Sequence, residues 1–193
     1  MAGGIGAGKS ALTDRLASLG YDVIDADTLA HRVTEKGRPA WIALRDAFGD
    51  AILAPDGELD RAFLAEIVFS DQSALRRLNM ITHGDIAMEI VGELDQSEGD
   101  AVFVALPLYQ SEHREALLLD QVWAVEASPE TAVRRLCELR GFSERDARAR
   151  IANQMTNEER GAIVDRVFWN DGPLSSLYAQ LDAALVESGL DRG

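Results

Sequence analysis

The reading of this chain turns on "GGIGAGKSAL", residues 3–12. Only two lysines occur in 193 residues, Lys9 and Lys36, and Lys9 stands here among four glycines. Gly3, Gly8, Lys9 and Ser10 satisfy G-x-x-x-x-G-K-[ST], the spacing of a phosphate-binding loop. Glycines open backbone angles closed to other residues, so successive N–H groups can turn inward around phosphate oxygens. A helix starting there adds its positive end and its unpaired amides. In such a loop Lys9 reaches the β- and γ-phosphates of ATP, and the Ser10 hydroxyl takes a place on Mg²⁺. Gly4, Ile5, Gly6, Ala7, Gly8 and Ala11 complete the nucleotide-facing stretch.

The downstream context agrees. Leu12, Leu16 and Leu19 fall at helical spacing, Gly20 closes the helix, and "YDVI" (21–24) reads as a strand. One part is out of place. A loop of this kind follows a buried strand, yet only Met1 and Ala2 precede it. Two expectations remain open: a start that lies upstream of Met1, or a sheet without its central strand.

Composition narrows the field. A hydrophobic fraction of 47% and a charged fraction of 27% fit a soluble globular chain, as one domain or a core with an inserted subdomain. A net charge of −14 and a sequence pI near 4.5 argue against a general binder of nucleic acid or membrane surfaces. Cys137 is the only cysteine, which excludes an internal disulfide and fits a reducing, cytoplasmic setting. No apolar run reaches membrane-spanning length and no signal peptide precedes the loop.

The predicted element order is a helix over 9–19, a strand over 21–24, and a long helical stretch from about 28 to 94 broken at "APDGELD". Buried strands follow at 101–106 and 122–127, with "DQSEGD" (95–100) a short polar connector. Pro129 opens a helix to about 140, and "SERD" (143–146) reads as a capping box opening another through 154. "DRVFWN" (165–170) is a late strand. A closing amphipathic helix places Leu174, Leu177, Leu181 and Leu185 on one side. Helices alternating with short apolar strands imply a three-layer α/β fold with a parallel sheet. The expected division is a core of about 1–30, 100–130 and 155–193, a helical subdomain of about 31–99, and lid-like helices over about 131–154.

"VIDAD" places Asp25 and Asp27 just beyond the second strand. Ligands of open α/β sheets bind outside the carboxyl ends of strands, so these acids are expected near the phosphate loop. A carboxylate there can accept a proton from an attacking hydroxyl or hold Mg²⁺ through water. The alternative is that these acids cap the following helix, which Asp25 can do; their pairing opposite a phosphate loop favours the functional reading.

Taken together, "GGIGAGKS", "GYDVIDADTLAHRV", "DGELDRAFLAEIVFSD", "LNMITHGDI", "LPLY", "RRLCELRGFSERDARARIANQM" and "VFWNDG" resemble the dephospho-CoA kinase family in order and spacing. The resemblance runs from Gly3 to the C-terminal helix. It implies a P-loop kinase fold like that of nucleoside monophosphate kinases, with a helical acceptor subdomain and a lid. It also implies transfer of the ATP γ-phosphate, with Mg²⁺, to the ribose 3′-hydroxyl of dephospho-CoA, in a monomer or weak homo-oligomer. Residue by residue, Asp27 is similar to the general base, with Lys9 and Arg135 acting on the transferred phosphoryl group. Asp25 lies beside the base and toward the metal, and Ser10 binds the metal directly. Arg61, Leu64, Val68 and Phe69 resemble the acceptor wall; Asn79, His83 and Arg150 extend it. Arg140 and Asn170 fall with the nucleotide. Guanidinium groups suit these places because planar donors stabilise phosphoryl charge.

The chain departs from the family at His83-Gly84, where His-Pro is usual. It departs again at Tyr109, Gln110, Ser111 and Glu112 after "LPL". In the lid, Leu139 stands at the second Arg position and Arg140 at the Asp position. Two other readings stay open: a P-loop kinase of another nucleotide-like or sugar hydroxyl, and a degenerate paralogue that binds nucleotide with little turnover. No N-K-x-D base-reading motif is present, which argues against a GTPase.

Overall fold

A computed structural model describes residues 1–190, the side chain of Phe69 excepted. The chain begins β1 (Ala2–Gly3), α1 (Lys9–Ser18), β2 (Asp22–Asp25), α2 (Ala26–Val33) and α3 (Pro39–Phe48). A 3₁₀ turn (Asp50–Ile52), α4 (Arg61–Ser70) and α5 (Gln72–Gln96) follow. Then come β3 (Val102–Ala105), α6 (Glu112–Ala116), β4 (Trp123–Glu126) and α7 (Pro129–Arg140). The chain ends with α8 (Glu144–Ala152), α9 (Asn157–Gly161), β5 (Arg166–Trp169) and α10 (Leu174–Glu187). Two compact units result: residues 1–24 with the chain from Ser97 on, and Asp25–Gln96. No helix among the described residues is long and apolar enough to cross a membrane.

In the first unit the central strand is present as a stub. Ala2 pairs with Ala124 and Gly3 with Val125, parallel to β4, and β4 runs parallel to β5 from Trp123↔Arg166 to Glu126↔Trp169. On the other side the Met1 amine donates to the Val104 carbonyl, and the Leu106 amide donates to the Met1 carbonyl at 2.8 Å. With β2 bonded to β3, the strands lie in the order β2-β3-β1-β4-β5. The expectation of a missing central strand is therefore corrected: Met1 to Gly3 lie between β3 and β4 and bond to both. The approach is close, because a Cβ on Gly3 would lie 2.7 Å from the Val125 carbonyl oxygen.

Alternation along β4 sorts its side chains onto two faces. Trp123 and Val125 join Leu12, Leu16, Phe168, Leu177, Leu181 and Leu185 in one core, so α1 and α10 cover that face. Tyr21, Phe103, Trp123 and Phe168 form a run of ring contacts through it, with centroids 5.3–5.6 Å apart. The opposite face carries Ala124 and Glu126, both fully buried.

The second unit is helical. Trp41, Leu44, Ile52, Leu59, Leu64, Val68 and Ala74 form its core. The predicted helical stretch from 28 to 94 resolves into α2 to α5, with caps and turns between them that periodicity does not show. Helix α5 runs unbroken through Gly84, where the family's usual proline would interrupt the ladder.

Other expectations are corrected too. Leu174 is 49% exposed, because the first residue of α10 precedes the turn that reaches the core; only Leu177, Leu181 and Leu185 are buried. At "SERD" Ser143 accepts from the Asp146 amide, but the complete capping box is at Thr156 and Glu159, opening α9. Helices α6 and α9, five residues each, are too short for periodicity to reveal.

Candidate active site

The loop from Gly3 to Gly8 leaves the β1 stub and enters α1. Gly8 stands at the helix N-cap in the left-handed region, φ +104°, with no side chain to cap the first turn. A Cβ there would lie 2.3 Å from the Asn170 amide nitrogen, so glycine is required twice over. No acid occupies the first turn of α1. Its leading amides thus keep their capacity for an outside acceptor, which suits a phosphate.

The carbonyl side of the same loop is braced. Asn170, 2% exposed at the end of β5, donates to the Ala7 carbonyl at 2.7 Å. Arg135 on α7 donates to the carbonyls of Gly6 and Ala7 at 3.4 and 3.3 Å, and to Asn170 O at 2.8 Å. Asp171 accepts from Ser128 N and Oγ at 2.9 and 2.7 Å, fixing the start of α7 to the turn after β5. The Ile5 and Ala7 amides are themselves taken, by Gln154 and by the Gly4 carbonyl, so a ligand is met by the remaining N–H groups of the loop and of the first turn of α1. Lys9 makes no ion pair among the described residues. These features fit a nucleotide polyphosphate. They also fit Mg²⁺ shared with phosphate oxygens, since the Ser10 hydroxyl in the first turn of α1 is a hard oxygen donor.

Beneath the loop lies a buried ion pair that sequence reading did not single out. Arg160 Nη1 donates to Glu126 Oε1 at 2.6 Å, with side-chain exposures of 7% and 1%. Burial pushes the Glu126 carboxyl above its usual range, and Arg160 offsets only part of that. Gln154 Oε1 accepts from the Ile5 amide at 2.8 Å. The available signal was a lone acid inside the apolar run "VWAVEA": a charge there is seldom buried unless paired. Its partner is 34 positions away, which spacing alone does not reveal.

Of the other residues in the segment expected to be lid-like, Arg150 stacks its guanidinium over Phe142 at 4.5 Å, while Leu139 and Arg140 lie exposed near the end of α7.

In the second unit, Asp25 caps α2, its Oδ1 accepting from the Asp27 amide at 2.8 Å, and Asp27 sits in the first turn. Arg61 opens α4 and donates to the His31 carbonyl at 3.2 Å and Thr34 Oγ1 at 3.0 Å. Leu64 and Val68 are buried in the helical core. Phe69 lies in α4, its side chain outside the described residues. Asn79 and His83 stand four residues apart on α5, the first half-buried and the second exposed.

The family model described as dephospho-CoA kinase matches residues 1–176. A dephospho-CoA kinase of Streptomyces avermitilis is 45% identical over 177 residues, covering 92% of this chain and 86% of its own length. Among solved structures, TT1252 from Thermus thermophilus has a TM-score of 0.82 at 34% identity, covering 96% of this chain and 94% of that one. Dephospho-CoA kinase from Campylobacter jejuni has a TM-score of 0.62 at 26% identity, covering 100% and 96%. With its phosphate loop, parallel sheet and near full-length similarity, this chain belongs to the dephospho-CoA kinase family.

Proposed function

We propose that the chain transfers the γ-phosphoryl group of ATP to the ribose 3′-hydroxyl of dephospho-CoA, yielding coenzyme A. The observation that carries this reading is the loop itself, with its carbonyls braced by Arg135 and Asn170 and its amides open at the head of α1. Lys9 draws charge from the β- and γ-phosphates, and Ser10 contributes its hydroxyl to Mg²⁺. Mg²⁺ held there would supply charge neutralisation on the phosphate oxygens. Asp27 accepts the proton of the 3′-hydroxyl, and the Asp25 cap fixes the turn that carries it. Arg61, Asn79, His83 and the helix bearing Phe69 receive the acceptor. Arg150 and Arg140 act from the lid.

The experiment is a coupled ADP assay with Mg²⁺ and a panel of acceptors: dephospho-CoA, adenosine, AMP and simple sugars. Release of ADP that depends on dephospho-CoA, with CoA as the product, is expected. Turnover on another acceptor, or ATP binding without turnover on any, overturns the assignment.

A further inference from the structure

We propose that Gln154 is a positioning residue for ATP: it holds the first turn of the phosphate loop through the Ile5 amide, from a connection anchored by the Glu126–Arg160 pair. This rests on reading the loop as the ATP site. Gln154 lies two residues past α8, in the connection to α9, which has no regular structure of its own. That connection is fastened to the end of β4. Arg160 binds the Met155 carbonyl at 2.6 Å with one nitrogen and Glu126 at 2.6 Å with the other. Asn157 Nδ2 donates to the Ala127 carbonyl at 2.8 Å.

The bonds close a ring. Strand β4 holds Arg160, Arg160 holds the connection, and the connection presents Gln154 to Ile5. The loop returns through β1 to β4, where Gly3 pairs with Val125. Inside the ring is a cavity of about 30 Å³ lined by Gly4, Ile5, Glu126, Gln154 and Arg160. A buried ion pair of this kind is not a cheap source of stability. Its place is explained by what it steadies: the turn from which a lid-side residue reaches the loop.

The structure distinguishes this role from that of a surface glutamine. Ile5 precedes Gly6, a left-handed residue at φ +76°, so freeing the Ile5 amide releases the loop beside a glycine with no side chain to restrain it. The loop would then sample conformations in which its amides no longer converge on phosphate, and ATP would have to select the competent one.

The test is Gln154→Met, close in size but without the acceptor oxygen, at a half-buried position where folding should survive. ATP·Mg²⁺ binding is measured by calorimetry without any acceptor, alongside both KM values, kcat, and exchange of the Ile5 amide by NMR. The expected result is ATP affinity weakened about tenfold, with KM for ATP rising equally. Exchange at Ile5 should become faster, while kcat and the KM for dephospho-CoA stay within about threefold. Unchanged ATP affinity, or a parallel rise in both KM values, overturns the positioning role. A wild-type chain that fails to bind ATP overturns the functional reading as well; one that binds ATP but does not phosphorylate dephospho-CoA leaves this test in force.

Discussion

At the scale of single residues, three side chains separate charge, proton transfer and capping. Lys9 stands at the first position of α1 with no ion pair among the described residues, so its removal breaks no internal contact of that kind. Lys9→Ala should therefore keep its melting temperature yet lose about 3 kcal/mol of transition-state stabilisation, roughly 10²-fold in rate. Steady-state turnover and a thermal melt on the same sample check this, and near-normal turnover would remove Lys9 from the chemistry. The two acids need a different design, because Asp25 caps α2 whatever else it does. Asn is about as good an N-cap as Asp, so Asp25→Asn keeps the cap and removes the charge, whereas Asp25→Ala should cost about 1 kcal/mol of stability. If Asp25 also serves the metal, the Asn variant should need more Mg²⁺ at unchanged stability. Asp27→Asn should lower kcat by about 10² to 10⁴ with ATP affinity little changed. Should Asp25→Asn abolish kcat at saturating Mg²⁺ while Asp27→Asn only shifts the metal requirement, the roles would be exchanged.

At the scale of elements, α5 offers a clean experiment. It is 25 residues long and passes through Gly84, where a Cβ would meet nothing within 4 Å. Glycine in an exposed helix interior costs about 0.5–1 kcal/mol relative to alanine, mostly through the freedom it has when unfolded. Gly84→Ala should raise the melting temperature by about 2–4 °C. Gly84→Pro, which restores the family's usual His-Pro, should cost about 3 kcal/mol because this helix has no break prepared for it. Alanine that destabilises would show that the helix needs its flexibility at this point. The same helix illustrates what the sequence makes legible. Its apolar positions announce a helix but not its ends, since these depend on contacts such as Asp71 accepting from the Ser73 amide and on loop geometry. Strands β3, β4 and β5 were legible as short apolar runs, and the loop as a fixed pattern. The β1 stub was not, because two residues carry no periodicity and their pairing is a property of β3 and β4. Likewise Gly8, Lys9 and Ser10 could be named from spacing. The brace through Gln154, Glu126 and Arg160 joins positions 34 to 149 apart and exists only once the sheet has formed.

At the scale of the whole molecule, a charge of −14 gives a polyphosphate no general attraction, so binding depends on the local field of the loop. The same field acts on a second group. In a chain whose first residue is Met1, the α-amino group lies inside the sheet, donating to the Val104 carbonyl, with Met1 8% exposed. Burial first, and then the nearby charge of Lys9, lowers its pKa from 8.0 to about 5. The sign follows from proton counting. Between about pH 5 and 8 the unfolded chain holds this proton and the folded chain does not, so stability from this group rises with pH across that window. Above the window the amine is neutral in both states and burying it carries no charge penalty. Below it the penalty is complete: three pH units at about 1.36 kcal/mol each, or about 4 kcal/mol. In a chain carrying about four apolar residues ahead of Met1, a peptide amide replaces the amine and the added residues can lengthen β1 between β3 and β4. Urea unfolding of the two chains at about pH 6 and about pH 8.5 isolates the effect, because the other titrating groups are common to both. The chain beginning at Met1 should lose up to about 3 kcal/mol on going to the lower pH relative to the extended one. Parallel stabilities at the two pH values would mean that the amine escapes to solvent and that β1 does not hold its place between β3 and β4.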